Sequence, residues 1–140
     1  MPNNFYEKAK ELIRHTGYRV THNRLRTLAI LLAEQYALTH REIEERLNVK
    51  EHLDRVTLYR VLEWLSKNNL VHKIAGDDRV WRFRVNMELH SHQHAHFICT
   101  RCTKVICLNN FRIKSNPSLP LGYLFHEVEL TVKGVCAECV

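Results

Sequence analysis

Residues 54–85 have the sequence DRVTLYRVLEWLSKNNLVHKIAGDDRVWRFRV, and this stretch decides the fold of the first half of the chain. Asp54 is a favourable N-cap for a helix from Arg55 to about Asn68. The apolar residues of that helix recur at the spacing of one helical face: Leu58, Val61, Leu62 and Leu65. Two β-like runs follow, 70–74 and 80–85, separated by a short polar turn. A helix that leads directly into a β-hairpin predicts the end of a winged helix-turn-helix.

The residues before this stretch predict three more helices. The first is an apolar series from Phe5 to Ile13 that ends near Gly17, and the second runs from about His22 to Gln35. The third starts at a capping box formed by Thr39 and Glu42. In the hairpin, alternate residues are expected to face the core: Trp81, Phe83 and Val85.

The helix predicted from residue 55 onward turns its polar side to solvent. That side carries charged and hydrogen-bonding groups: Arg55, Thr57, Tyr59, Arg60 and Glu63. Guanidinium groups suit guanine edges and phosphates, and a tyrosine ring can pack on a thymine methyl in a DNA major groove. Residues 1–86 also hold 16 Lys and Arg against 11 Asp and Glu. These features favour a polyanionic partner for this half, with an ordinary solvated basic surface as the alternative.

Beyond Asn86 the composition shifts to histidine, cysteine and short β-like runs, which predicts two domains, 1–86 and 87–140. Three strands are expected in the second domain: Phe97–Cys99, Lys104–Leu108 and Tyr123–Lys133. In the last of these the apolar residues share one parity, so one face can be buried. The chain as a whole is predicted to be α+β.

Four of the five cysteines form two CxxC pairs, Cys99 with Cys102 and Cys136 with Cys139. Each pair can present two thiolates to one ion, and zinc prefers four such ligands in a tetrahedral shell. A closed shell of four sulfur atoms leaves no position for a substrate, so the predicted zinc is structural. A thioredoxin-like redox pair is the alternative, but the chain lacks the βαβ pattern that accompanies one.

A second cluster of metal-binding side chains precedes and follows the first CxxC pair. His90, His92, His94 and His96 alternate, so an extended chain would place all four imidazoles on one face. Cys107 lies on the next predicted strand, where it can pair with His96 across a hairpin. These five residues are candidate ligands for a regulatory metal. The alternative is a solvated histidine linker with Cys107 as a small buried residue.

The remaining composition is that of a globular protein. Hydrophobic residues make up 45% and charged residues 26%, which argues against disorder. No run of about 20 apolar residues could span a bilayer, and the N-terminus has no signal pattern, so a cytoplasmic location is expected. No nucleophile–base pair or open metal shell with a neighbouring carboxylate suggests an enzyme.

Four segments together resemble the ferric uptake regulator (Fur) family of metal-responsive repressors: Gly17–Arg24, Val56–Leu62, His96–Cys102 and Gly134–Cys139. The resemblance covers nearly the whole chain. It implies a homodimer with an N-terminal winged helix and a small C-terminal α/β dimerisation domain, which binds a regulatory metal and then an inverted-repeat operator in double-stranded DNA. By position it assigns DNA contacts to Arg19, Tyr59 and Arg60, and a structural zinc ion to the four CxxC cysteines.

The chain departs from the family pattern at the sensory metal site. Ala37 stands in place of a hinge histidine, and Arg84 stands near the usual glutamate. His96 is kept, whereas Cys107 replaces an acidic ligand. The ligands of a further site are replaced by other residues: Gln93, Ala95 and Val128. A thiolate with imidazoles favours zinc over iron as the second metal.

Together with the two groups of candidate metal ligands, the resemblance therefore implies a metal-responsive, DNA-binding repressor of metal-homeostasis genes with zinc as its signal. Leu70–Lys73 and Cys136–Val140 look closer to the zinc-sensing (Zur) branch of the family. Two alternatives stay open. One is a family member that has lost metal sensing or responds to iron, peroxide or thiol redox state. The other is a zinc-stabilised protein-interaction module.

Overall fold

The computed structural model describes residues 2–86, 94–112, 118–126 and 128–140, without the side chains of residues 2, 3, 94 and 109–112. The chain divides into two compact units, Met1–Glu88 (unit 1) and Leu89–Val140 (unit 2). No helix in the described ranges is long and apolar enough to cross a membrane.

The described part of unit 1 contains helices and strands: α1 (Pro2–His15), α2 (His22–Ala33), β1 (Leu38–Thr39), α3 (His40–Leu47), α4 (Arg55–Lys67), β2 (Val71–Ala75) and β3 (Trp81–Val85). The described part of unit 2 contains strands alone: β4 (His94–Cys99), β5 (Val105–Arg112) and β6 (Leu130–Gly134). The predicted α+β class is confirmed for the chain, and all the described helices lie in unit 1.

The core of unit 1 forms where its four helices turn their apolar faces inward. Ile13 of α1, Leu28 of α2 and Ile43 of α3 are completely buried. α4 buries the four residues that its spacing predicts: Leu58, Val61, Leu62 and Leu65. Because these four share one side of the helix, the opposite side of α4 faces solvent.

Three helix ends follow the capping chemistry expected from the sequence. The Thr39 hydroxyl accepts the Glu42 N–H (3.1 Å), and the Glu42 carboxylate accepts the Thr39 N–H (2.9 Å), which completes the capping box. The Asp54 carboxylate accepts the Thr57 N–H at 3.2 Å and so caps α4. Gly17 follows α1 with a left-handed φ of 83°, a conformation that glycine adopts without penalty.

The sheet of unit 1 has the order β1-β3-β2 with antiparallel neighbours. β2 and β3 form the predicted hairpin, and Phe83 and Val85 are buried as expected. The prediction for Trp81 is wrong, because this residue is 52% exposed. It lies next to the hairpin turn, where its ring packs against the Lys73 ammonium instead of the core. α2 ends at Ala33, two residues earlier than predicted.

In unit 2 the central strand is β4, which is antiparallel to β5 and parallel to β6. The strand predicted over Tyr123–Lys133 is shorter than expected, because residues 118–126 contain no strand and β6 begins at Leu130. Of the apolar face predicted there, Leu124 and Val132 are exposed, whereas Val128 and Leu130 are half-buried. The exposed apolar residues of unit 2 in the described ranges are Leu119, Leu121, Tyr123, Leu124, Val132, Val135 and Val140.

Candidate metal centres and nucleic-acid interface

The four CxxC cysteines meet at one edge of the unit 2 sheet. Because β4 and β6 are parallel, their carboxyl ends lie side by side, with Cys99 in register with Gly134. Just beyond that pair the Thr100 N–H donates to the Gly134 carbonyl at 2.8 Å. Both strands therefore lead into their CxxC turns at the same place, where the four sulfur atoms lie within 4.8 Å of one another.

The spacing of these sulfur atoms fits a tetrahedral zinc ion. Cys102 Sγ and Cys136 Sγ, which come from different turns, are 3.7 Å apart. Four sulfur atoms at about 2.3 Å from one zinc ion would be separated by roughly 3.8 Å. Cys99 is buried beneath the turn, whereas Cys102 is exposed. The donor set therefore fits one structural zinc ion close to the protein surface.

Hydrogen bonds favour the thiolate form of Cys99. The backbone N–H groups of Cys102 and Cys136 each donate to Cys99 Sγ at 3.4 Å, and they lower the pKa of Cys99 to about 6. The Cys139 thiol hydrogen-bonds to the neighbouring sulfur atoms, first that of Cys136, and this raises the pKa of Cys139 to about 12. A thiolate at Cys139 is therefore disfavoured unless a cation compensates its charge. A divalent ion supplies that compensation.

Two basic side chains lie beside the sulfur cluster. The Lys104 ammonium pairs with the Glu138 carboxylate at 2.8 Å and thereby links the two CxxC turns. Glu138 is the main cause of the raised pKa of Lys104, and the nearby thiols add to it. The Arg101 guanidinium donates to the Cys139 carbonyl at 2.9 Å. Four thiolates around one zinc ion carry a net negative charge, which nearby cations offset.

The histidine cluster is described in part. His90 and His92 lie outside the described residues, and only the backbone of His94 is described, in β4. His96 stands directly opposite Cys107 in the antiparallel ladder of β4 and β5. A ring nitrogen of His96 lies within 4.8 Å of Cys107 Sγ, and both side chains are half-buried. An imidazole and a thiol at this distance can supply two ligands to one metal ion.

The outward face of α4 presents most of the predicted DNA contacts. Arg55, Tyr59 and Arg60 are exposed. Arg55 Nε lies 3.5 Å from Glu44 Oε2. Thr57 is half-buried, and its hydroxyl donates to Asp54 Oδ1 at 2.6 Å. The proton of the Thr57 hydroxyl is thus committed to the helix cap, which leaves its oxygen as an acceptor only.

The predicted contact Arg19 is exposed in the loop between α1 and α2, and a small cluster supports this loop. The Arg24 guanidinium donates to the Arg19 carbonyl at 2.9 Å and lies 3.7 Å from the centre of the Trp64 ring. The ring of Tyr18 meets Trp64 edge-on at 5.9 Å. Sequence reasoning missed Arg24 and Trp64, because their contact joins two helices that are distant in the sequence.

The turn of the hairpin is held by an ion pair between the buried Arg82 and the more exposed Asp78, which the sequence alone did not reveal. The two terminal nitrogen atoms of the Arg82 guanidinium, Nη1 and Nη2, each donate to one oxygen of the Asp78 carboxylate at 2.9 Å, and Arg82 is only 5% exposed. The hydrogen bonds from Arg82 lower the pKa of Asp78 to about 2. Gly76 lies directly against this pair, so a side chain at that position would displace it.

Comparison with known proteins identifies a family. Residues 15–132 match the model of the ferric uptake regulator family. The ferric uptake regulation protein of Bacillus subtilis is 27% identical over 143 residues, which cover 97% of this chain and 95% of that protein. The peroxide-responsive repressor PerR of Staphylococcus epidermidis is 25% identical over 137 residues, which cover 95% of this chain and 89% of that protein.

Solved structures show the same fold. The structure of a zinc uptake regulator complexed with zinc and DNA superimposes with a TM-score of 0.72 at 19% identity, over 99% of this chain and 95% of that chain. The ferric uptake regulator of Helicobacter pylori, a structure with three metal-binding sites, gives a TM-score of 0.62 at 20% identity, over 99% of this chain and 93% of that one.

Proposed function

Since the chain belongs to the ferric uptake regulator family, we propose that it is a cytoplasmic, homodimeric repressor that binds operator DNA and responds to zinc. Members of this family are metal-responsive transcription regulators, so the chain is a regulator and not an enzyme. We propose residues 1–86 as the DNA-binding domain and residues 87–140 as the zinc-binding dimerisation domain. The regulated genes would then be those of metal homeostasis.

The two-sided character of α4 is the observation that carries the DNA-binding proposal. One side of this helix is buried in the core of unit 1, and the other side exposes Arg55, Tyr59 and Arg60. A rigidly seated helix with arginine and tyrosine on its outer face suits a major groove. The exposed Arg19 in the loop before α2 would reach the neighbouring backbone or minor groove, and Thr57 would contribute an acceptor.

Dimerisation is proposed from the open apolar surface of unit 2. Leu121 and Leu124 are 102% and 83% exposed, and five further large apolar residues are exposed in the described part of unit 2. Exposed large apolar side chains in this number favour an interface with a partner, and a second copy of the chain would cover them. Two copies would carry two α4 helices, and these match the two half-sites of an inverted repeat.

Zinc is proposed at both metal positions. The four CxxC cysteines would hold the structural ion. His96 and Cys107 would contribute to a regulatory site, together with ligands from the histidine series at 90, 92 and 94. A thiolate combined with imidazoles favours zinc over iron at this second position. Zinc bound at the regulatory site would favour the arrangement of the dimer that fits the operator, and so raise the affinity of the dimer for DNA.

The proposal is tested by zinc analysis combined with DNA binding. A duplex is first selected by the wild-type protein from a randomised pool in the presence of zinc. Zinc per chain and affinity for this duplex are then measured for wild type, Cys107→Ser and Cys136→Ser, with and without added zinc. We expect more than one zinc per wild-type chain, loss of the zinc response in Cys107→Ser, and loss of the structural ion in Cys136→Ser.

Three outcomes would contradict parts of this proposal. If no duplex is enriched, the DNA-binding function is wrong and a zinc-stabilised interaction module replaces it. If wild type and Cys107→Ser both hold one zinc ion and bind DNA regardless of added zinc, the chain does not sense this metal at Cys107. If DNA binding follows iron, or is lost with peroxide, the signal is different.

A further inference from the structure

Tyr59, a proposed DNA contact, rests on a histidine from a different helix. The rings of His40 and Tyr59 are stacked, with centroids 3.9 Å apart and planes inclined by 24°. Tyr59 is 54% exposed, whereas the His40 side chain is only 14% exposed. A half-exposed tyrosine on a helix has more than one accessible rotamer. A ring that is fixed from another element favours the one rotamer that stacks on it.

His40 is in turn held at both its backbone and its side chain. His40 is the first residue of α3, so its backbone directly follows the N-cap residue Thr39. Its side chain lies one helical turn from Glu44, with Nδ1 3.7 Å from Glu44 Oε2. The same carboxylate oxygen is 3.5 Å from Arg55 Nε. One carboxylate therefore contacts both the ring that supports Tyr59 and the guanidinium of Arg55.

The surroundings of His40 favour an uncharged ring. Its Nε2 atom is buried without a hydrogen-bond partner among the described residues. Burial is the largest effect on His40 and lowers its pKa, although Glu44 acts in the opposite direction. A neutral imidazole attracts phosphate only weakly, so His40 serves as a stacking surface and not as a cation that contacts DNA.

From this geometry we propose that His40 is a positioning residue, which holds Tyr59 in the orientation that reads a base and so sets the sequence selectivity of α4. Glu44 keeps His40 and Arg55 in place. This inference rests on the proposed DNA-binding function. Loss of the stack between His40 and Tyr59 would allow the Tyr59 ring to leave the orientation that reads a base. It would not change the number of Lys and Arg side chains that attract DNA. Specific binding should therefore weaken while non-specific binding does not.

The test uses full-length zinc-loaded protein in four forms: wild type, His40→Ala, His40→Phe and His15→Ala. Phenylalanine keeps an aromatic ring at position 40, and alanine is a good helix former that leaves the capping box intact. His15 is a matched control, because it pairs with Glu11 at the same i, i+4 spacing (3.8 Å) but is exposed on α1. The probes are a duplex selected by the wild type from a randomised pool and a scrambled duplex of equal composition.

We expect His40→Ala to weaken binding of the selected duplex by on the order of three- to tenfold. Binding of the scrambled duplex should stay unchanged, His40→Phe should restore most of the selectivity, and His15→Ala should behave as wild type. In protein free of DNA, the Tyr59 ring protons should shift in the NMR spectrum of His40→Ala and return towards their wild-type positions in His40→Phe.

The inference is overturned if His40→Ala keeps the wild-type ratio of the two affinities, or if it weakens both duplexes equally. It is also overturned if the Tyr59 ring resonances do not change in His40→Ala, whether or not DNA binds. Failure of the proposed function has a different signature, because the wild type would then enrich no duplex from the pool.

Discussion

Cys99 and Gly134 are register partners in the parallel ladder of β4 and β6, and this pairing places both CxxC turns at one edge of the sheet. In the described part of unit 2, β6 hydrogen-bonds to β4 alone, so it is an edge strand. A metal ion bound by cysteines that follow both strands would fasten their ends together. The stability of β6 should therefore depend on the metal.

Removal of the metal should loosen β6 and the turn after it while unit 1 stays folded. The expected result is faster amide exchange at Leu130–Gly134 and Cys136–Val140 after chelation, because the ion contributes folding free energy to the segments it joins. Hydrogen–deuterium exchange measures this for each segment. Amides of α2 supply the internal control. Equal protection of β6 with and without metal would contradict the structural role of the ion.

Loss of the capping box should destabilise α3. Thr39→Ala removes the hydroxyl that accepts the Glu42 N–H, and the expected cost is about 1 kcal/mol of unfolding free energy. Urea unfolding followed by circular dichroism provides the measurement. Thr131→Ala, at an exposed position of β6, is the matched control and should change little. An equal effect of the two substitutions would show that the box contributes nothing.

The pair of Asp78 and Arg82 should show a titration far below the usual range of a carboxyl group. Arg82 holds the pKa of Asp78 at about 2, compared with 3.8 for an unperturbed group. A lowered pKa means that the pair contributes stability above about pH 4 and loses it as the pH falls through about 2. NMR of the Asp78 carboxyl carbon follows the titration directly. In Arg82→Lys, which loses the two-point contact, the midpoint should rise towards 3.8.

Local signals were predictable from the sequence, whereas contacts between distant segments were not. Asp54 and Thr39 cap their helices as expected because capping depends on residues within one turn. Trp81 and the start of β6 were predicted wrongly, because alternation shows a strand pattern but not what covers the strand. The stack of His40 on Tyr59 joins α3 to α4, and no spacing within either helix reveals it.

The four-cysteine cluster could be predicted from the sequence only in part. Two CxxC pairs predict a shared ion from ligand chemistry alone, yet the pairs are far apart in the sequence. What brings them together is the parallel pairing of Cys99 with Gly134, which no local pattern contains. The histidine series could be predicted from the sequence only as a pattern of alternation. Alternation suggested a shared face, and within the described residues the structure supplies His96 opposite Cys107.

We expect Arg24 to hold the loop that carries Arg19 against Trp64, which lies near the end of α4. Arg24→Ala removes both the contact with Trp64 (3.7 Å) and the bond to the Arg19 carbonyl, and we expect a loss of about 1 kcal/mol in stability. The Trp64 emission should shift to longer wavelength, because its ring becomes more hydrated. A Trp81→Phe background isolates the Trp64 signal. An unchanged emission spectrum would argue against the contact between Arg24 and the Trp64 ring in solution.

Arg60 should contribute to specific DNA binding more than any other single cation on α4. It is exposed, and no hydrogen-bond or ion-pair partner holds it among the described residues, whereas Arg55 is paired with Glu44. If it contacts a base edge, Arg60→Ala should cost roughly 1–3 kcal/mol of binding to a selected duplex, as measured by fluorescence anisotropy. Binding should also weaken steeply with salt, because phosphate neutralisation releases counterions.

The control for this prediction is Lys67→Ala, which removes one positive charge from the same helix. Lys67 lies in the last turn of α4 and pairs with Glu63 at 3.2 Å, so its charge is already compensated. Its removal should weaken binding of selected and scrambled duplexes by the same small factor, because a charge that does not contact a base edge does not distinguish between sequences. A base contact at Arg60 predicts instead that the ratio of the two affinities falls. If Arg60→Ala weakens both duplexes by the same factor, Arg60 contacts phosphate, and base selectivity must come from Tyr59 and its neighbours on α4.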